Sequence, residues 1–181
     1  MFANMASQSV EVIEAEQPVE ILAYELLPDR AGPGKYRGGA PYYRDYRFTE
    51  KEAVLQVRSD RARFRPYGLY GGLPGTASAN YLNPQRENKK LTSKPTMMIE
   101  NGDVFRHELA GGGGWGDPLE RHPSDVLRDV RNELVSAEAA RTGYGVIVDT
   151  EAWRVDIDGT SALREQMRSS RGWEKPPFVS W

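Results

Sequence analysis

The run Gly111-Gly112-Gly113-Gly114-Trp115-Gly116-Asp117-Pro118 holds the residue types best placed to do chemistry in this chain. Four glycines leave a backbone that a ligand or another chain segment can approach closely. Backbone N–H groups in such a tract, between a strand and a helix, are able to cradle an anion. The spacing, however, is neither GxGxxG nor GxxxxGK[ST], and no lysine or hydroxyl follows to hold a phosphate and its metal. The tract therefore reads as a turn or interface loop. Trp115 sits within it as a large aromatic, and Asp117 closes a turn before Pro118 by accepting nearby backbone N–H groups.

Other candidate groups are sparse. The only histidines are His107 and His122, which are not at ligand spacing, and there is no cysteine. A metal site needs two or three convergent ligands, so His107 reads as a strand residue and His122 as a helix-entry residue. Asp149 and Asp156-Ile157-Asp158-Gly159 lack the register and distal glutamate of a calcium loop and read as turns. Arg58, Arg61, Arg63 and Arg65 crowd one stretch. Guanidinium groups there are suited to bidentate binding of phosphate or carboxylate, although a solvated or subunit-facing strand end is the plainer reading. No Ser–His–Asp or Cys–His constellation can be placed. The chain shows no complete active site.

These residues must be positioned by short elements. Val10-Glu11-Val12 alternates, and Val19–Leu26 suits a strand that begins after Pro18. Tyr42, Arg44, Tyr46 and Phe48 alternate with Tyr43, Asp45 and Arg47, predicting a strand with an aromatic face. Thr49–Glu52 predicts a hairpin to a strand over Ala53–Arg58. Residues 66–95 carry almost no periodic signal. Asn101-Gly102, between Thr96–Ile99 and Val104–Leu109, predicts another hairpin. Pro123 suits a helix start, with Ser124 or Asp125 at its N-terminus and an apolar stripe of Val126, Val130 and Leu134. A short helix is expected from Ser136 to a left-handed Gly143. Paired strands over Tyr144–Val148 and Ala152–Ile157 and a helix over Thr160–Arg168 follow. The expected fold is α+β: mainly short antiparallel strands with long Gly/Pro-rich loops and a few C-terminal helices. Residues 1–170 read as a single domain and 171–181 as a Pro/Trp-rich tail.

Composition sets outer limits. The 181 residues suffice for a domain with a core. With 39% hydrophobic and 28% charged residues and no long apolar run, no membrane association is expected. A formal charge of −2 gives no general attraction to nucleic acid. The acidic start lacks an apolar signal region, so the cytoplasm is the expected compartment. The 18 glycines and 12 prolines fall mostly between residues 28 and 118 and predict shaped loops, some ordered only against a partner.

Taken in order, several motifs resemble the hydantoinase B proteins, relatives of oxoprolinases and of acetone and acetophenone carboxylases. They are Pro18-Val19-Glu20, Tyr24-Glu25-Leu26-Leu27-Pro28-Asp29, Gly34-Lys35-Tyr36-Arg37-Gly38-Gly39, Ser59-Asp60-Arg61-Ala62-Arg63-Phe64 and Gly68-Leu69-Tyr70-Gly71-Gly72-Leu73-Pro74-Gly75. The glycine tract continues the series through Leu127-Arg128-Asp129-Val130-Arg131 and Val135-Ser136-Ala137-Glu138-Ala139-Ala140-Arg141 to Tyr144. Roughly positions 10–165 are covered, which corresponds to the C-terminal portion of proteins several times longer. The N-terminal region, where the family's metal-binding histidines and acids are expected, has no counterpart. Met1 opens directly into a family-like stretch, Phe2–Glu16, which fits a separately encoded small subunit of a split enzyme; a truncated piece is the other reading.

The resemblance implies a multi-subunit, ATP-dependent enzyme that hydrolyses a cyclic amide or carboxylates a ketone. Implied partners are a hydantoinase A-type ATPase subunit and a larger hydantoinase B-type subunit carrying the missing N-terminal part. ATP and a divalent metal are expected on those chains, and no cofactor on this one. Substrate-binding or subunit-interface candidates are Arg61, Arg63, Gly71, Gly72, Gly112, Gly113, Trp115 and Asp117. The alternative is a non-catalytic assembly subunit that scaffolds the larger chains.

Overall fold

The computed structural model describes residues 8–171, so of the expected tail only Arg171 is seen. The fold is α+β, with four α-helices and nine strands among the described residues. The chain divides into two compact units. One holds the described residues through Glu25 with Tyr43–Asp60 and Ala79–Glu108. The other holds Leu26–Tyr42, Arg61–Ser78 and the described residues from Leu109.

The first unit is built on a five-stranded sheet ordered β1-β2-β7-β4-β5. Its strands are β1 (Val19–Leu26), β2 (Tyr42–Phe48), β4 (Ala79–Leu82), β5 (Lys89–Leu91) and β7 (Val104–Glu108). The alternation in β2 does what the sequence predicts. Tyr46 lies opposite Phe105 and Arg44 opposite His107, while Asn80 of β4 meets His107 from the other side. A separate ribbon pairs β3 (Glu52–Gln56) with β6 (Thr96–Glu100), Ala53 opposite Ile99. Leu55, Leu82, Ile99 and Phe105 form the core, with Tyr46, Phe48 and Met97 packed on it. Each such side chain stabilises the unit by about 1.5–3 kcal/mol on full burial.

Two expected hairpins are not formed, although their turns are. β3 pairs with β6 rather than with β2, and β7 pairs with β2 and β4 rather than with β6. The Asn101-Gly102 turn is present, with Gly102 at φ 84°, the only one of the two at positive φ. It carries the chain from the ribbon to the sheet, because Gly102 N–H donates to the Phe48 carbonyl. Residues 66–95, which lack periodicity, contain the β4–β5 hairpin, closed by Asn83 and Asn88 in left-handed conformations. Val10–Glu16 is a helix, α1, not an extended segment. Three alternating residues are too few to separate the two periods.

The second unit carries α2 (Pro123–Arg131), α3 (Ala137–Tyr144), the β8–β9 hairpin (Ile147–Asp149 with Arg154–Asp156) and α4 (Ile157–Ser170). Pro123 starts α2, but the cap is His122, whose ring accepts the Ser124 N–H. Ser124 lies inside the helix instead, while Asp125 sits in the first turn, where its negative charge complements the N-terminus. α3 is capped by Ser136 and ends at Gly145, φ 61°, two positions later than expected. Gly143 stays helical. Val126, Val130, Val135, Ala140, Tyr144 and Val146 make this unit's core.

Candidate functional site

The glycine tract lies in the second unit and is neither a free loop nor an anion cradle. It runs between two other glycine-rich segments, around residues 30–39 and 66–76, and is tied to both by backbone hydrogen bonds. Gly32 N–H donates to the Gly112 carbonyl and Gly112 N–H to the Gly39 carbonyl. Gly111 N–H donates to Thr76, Gly114 N–H to Leu73, and Leu69 N–H to Gly114. The side segments also bond to each other, with Leu73 N–H on the Pro33 carbonyl and Thr76 N–H on Arg30. Backbone groups that would otherwise cost free energy on burial are thus paired across segments.

Glycine is required because the backbones touch. A Cβ at Gly113 would lie 1.8 Å from the Tyr67 carbonyl oxygen, and one at Gly72 2.2 Å from that of Gly114. A Cβ at Gly112 would lie 2.7 Å from the Gly39 nitrogen. These contacts put Gly72, Gly112 and Gly113 in the frame of the unit. Gly71 turns the neighbouring segment at φ 88° and lines a cavity of about 320 Å³ with Leu73, Leu119 and Met167.

Trp115 emerges from this frame. Its backbone exchanges two hydrogen bonds with Tyr36, each 2.9 Å. Its ring stands between Tyr36 and Tyr70, with centroid separations of 5.6 and 5.2 Å. Tyr36 is 61% exposed, and Trp115 and Tyr70 are each 45% exposed. An aromatic triplet is thereby held at the surface by a rigid backbone. Tyr36 and Tyr70 are absent from the sequence-derived candidates. Their only signal is that each adjoins a glycine-rich segment.

Asp117 closes the turn expected of it, accepting the Leu119 N–H at 2.9 Å. It is also buried and meets the Arg171 guanidinium at 2.7 Å. Burial pushes its pKa upward, but Arg171 and the Leu119 N–H outweigh this and hold the carboxyl below its usual value. Arg164 donates to the Tyr144 and Arg121 carbonyls, and Arg168 to Leu119. α4 is thus fastened to the 117–121 turn. Asp129, also buried, sits between Arg37 at 3.1 Å and Arg121 at 2.8 Å. The Tyr144 phenol nearby is pushed up to about 12, mainly by burial.

Arg61 and Arg63 are exposed. Arg61 adopts φ 63°, its carbonyl accepts the Ser78 N–H, and Arg63 lies 5.4 Å from the exposed Phe64 ring. None of the ion pairs among the described residues uses either side chain. Gly72, Gly112, Gly113, Trp115 and Asp117 are therefore brought together by one backbone frame, with the two arginines on a surface segment of the same unit. No cluster of three metal-ligating side chains occurs among the described residues, and no described helix is long and apolar enough to cross a membrane.

The first unit has polar groups of its own. Arg106 holds the buried Asp45 by two bonds of 2.7 and 2.6 Å. His107 Nδ1 lies 2.6 Å from Asn80 Oδ1, and Asn80 Nδ2 donates to Ser59 Oγ at 2.8 Å and the Thr92 carbonyl at 3.0 Å.

Known proteins share both the sequence and the fold. The family model for hydantoinase B/oxoprolinase matches residues 1–118. An uncharacterised protein of Methanocaldococcus jannaschii is 35% identical over 86% of this chain and 28% of its own length. The caprolactamase subunit beta of Pseudomonas jessenii is 31% identical over 90% of this chain and 29% of its own. The crystal structure of the ATP-dependent caprolactamase from that organism superposes with a TM-score of 0.74 at 29% identity, over 88% of this chain and 28% of the other. Nucleotide-free acetone carboxylase shares the fold, at TM-score 0.79 and 23% identity over 91% of this chain and 26% of that one. The chain spans little more than a quarter of the length of these relatives. Over that span, sequence and architecture agree: the chain belongs to the hydantoinase B/oxoprolinase family.

Proposed function

We propose that the chain serves as the C-terminal portion, in the form of a small subunit, of an ATP-dependent hydantoinase- or carboxylase-type complex. Its partners in this reading are a larger hydantoinase B-type chain and a hydantoinase A-type ATPase. The ATPase phosphorylates an amide, enol or bicarbonate-derived intermediate, and the larger chain holds the substrate and a divalent metal. Enclosure then protects the activated species from water. The substrate is a cyclic amide opened by hydrolysis or a ketone that is carboxylated.

The observation carrying this reading is the Tyr36–Trp115–Tyr70 triplet, exposed on a frame with little freedom to move. Aromatic anchors on rigid supports lose little entropy on docking and are typical centres of interfaces. Gly71, Gly72, Gly112 and Gly113 set the shape of that wall, and Arg61 and Arg63 are available for ion pairing with a partner or a substrate. The engagement of Asp117 by Arg171 and Leu119 supports a positioning role for that acid. It also favours the second reading, a purely scaffolding subunit.

Co-expression with a larger hydantoinase B-type chain and an ATPase subunit, followed by pull-down and native mass measurement, tests the proposal. A stable ternary complex with ATP-dependent turnover is expected. A folded monomer that binds neither chain overturns both readings. A complex whose activity is unchanged when this chain is omitted likewise overturns both, whereas loss of assembly on omission, with activity insensitive to Arg61→Ala and Arg63→Ala, leaves only the scaffold.

A further inference from the structure

His107 and Asn80 of the first unit are cross-strand neighbours on β7 and β4. The Asn80 amide can be oriented in only one way. Its Nδ2 faces the Thr92 carbonyl, which can only accept, and Ser59 Oγ, which spends its own proton on the Ser93 carbonyl. Oδ1 must therefore face His107, and a carbonyl oxygen at 2.6 Å from Nδ1 requires a proton on Nδ1. A neutral imidazole has one N–H, so Nε2 carries the lone pair. Burial lowers the pKa of this ring, against a hydrogen bond with the Ala79 backbone and the charge of Glu108, and keeps it neutral near pH 7.

The ring lines a cavity of about 360 Å³ in the same unit, with Tyr46, Phe48, Leu55, Val57 and Phe105 as apolar walls and Arg58 at its margin. The Tyr46 and Phe105 rings lie side by side across the two strands, centroids 6.4 Å apart and planes inclined by 29°. Volumes near this size hold a single-ring compound, and a few polar groups on an apolar wall fix orientation. An imidazole lone pair of fixed tautomer accepts a hydrogen bond from a donor-bearing ligand. Arg58, exposed on the rim, supplies donors suited to a carboxylate.

We propose that this cavity binds a small aromatic acid bearing a hydroxyl group, whose O–H donates to His107 Nε2 and whose carboxylate pairs with Arg58. The site is distinct from the aromatic triplet and does not depend on the assembly role.

The full chain labelled with ¹⁵N carries just two histidines, and their surroundings predict opposite tautomers. His122 accepts the Ser124 N–H at Nδ1, which leaves its proton on Nε2. Long-range ¹H–¹⁵N spectra should show Nδ1–H for His107 and Nε2–H for His122. Titration with 4-hydroxybenzoate should then shift the His107 Nε2 signal saturably and leave His122 unmoved, whereas 4-methoxybenzoate, which lacks the donor, should leave both in place. Arg58→Ala, a surface change, should weaken 4-hydroxybenzoate roughly tenfold, the value of one charge-assisted hydrogen bond. A proton on His107 Nε2 in the free protein, no response to 4-hydroxybenzoate, an equal response to both acids, or undiminished affinity in Arg58→Ala each overturns the proposal.

Discussion

Asp117 and Arg171 meet at 2.7 Å, their side chains 4% and 18% exposed, and join the end of α4 to the turn that follows the glycine tract. Removing the Asp117 carboxylate takes a charge-assisted partner from a largely buried guanidinium and an acceptor from the Leu119 N–H. Asp117→Ala should destabilise the protein by about 3 kcal/mol, read as a lower urea midpoint with an unchanged slope.

The same carboxyl predicts a pH dependence. Its folded pKa is depressed, so the unfolded chain binds the proton more readily as the medium is acidified. The contribution is fully present above the unfolded value, about 3.9, and is lost as pH falls through the lower folded value. Asp117→Asn should therefore reduce stability at neutral pH and show a shallower decline on acidification than the unaltered protein. Parallel acid limbs in urea unfolding would count against the assignment.

Two glycine substitutions separate packing from mere composition. At Gly113 an added Cβ would strike the Tyr67 carbonyl at 1.8 Å, whereas at Gly39 nothing lies within 4 Å. Gly113→Ala should cost at least about 3 kcal/mol, since a backbone must move. Gly39→Ala should fall within about 0.5 kcal/mol of the parent. Comparable thermal midpoints for the two variants would refute the close-packed frame.

Trp115→Ala distinguishes surface anchoring from internal support. With 45% of the residue exposed, its removal should leave the monomer's melting temperature within a few degrees. Binding to the larger chain should weaken by roughly 30-fold or more, as at the centre of an interface. Isothermal titration of the purified variant against that chain checks this.

Tyr144 offers a test in the opposite direction. Its hydroxyl is buried and has no hydrogen-bond partner among the described residues. Tyr144→Phe should be neutral or stabilising by about 1 kcal/mol, because a buried polar atom without a partner costs more than a methine in its place. Marked destabilisation would reveal a bridging water to the Arg37–Asp129–Arg121 cluster.

What the sequence discloses follows the range of the interactions involved. β2 is legible because Tyr42, Arg44, Tyr46 and Phe48 repeat with period two, and α2 because Pro123 precedes Val126 and Val130. Strand pairing is not legible: β3 chooses β6, forty-odd residues away, over its neighbour β2, and no local pattern encodes that choice. Asp117's turn is a local matter and can be read directly. Its ion pair with Arg171 brings together residues far apart in the chain and cannot. The glycine tract announces itself by composition, but composition gives only permission for close approach. What approaches is decided by segments around residues 32, 38, 68 and 72.

Three tracts of backbone, one from each of the three stretches of chain that make up the second unit, complete one another's hydrogen bonds. At the glycines themselves there is no side chain to shield the backbone until its partners are in place. On a growing chain the first two tracts emerge long before Gly111–Gly114, and until the last arrives their amides must be left to water. The frame is therefore a keystone arrangement, closed only when contacts distant in sequence are made. Interrupting the chain between the second and third tracts should leave a fragment unable to form the unit, yet primed to capture the missing glycines when they are supplied as a separate peptide.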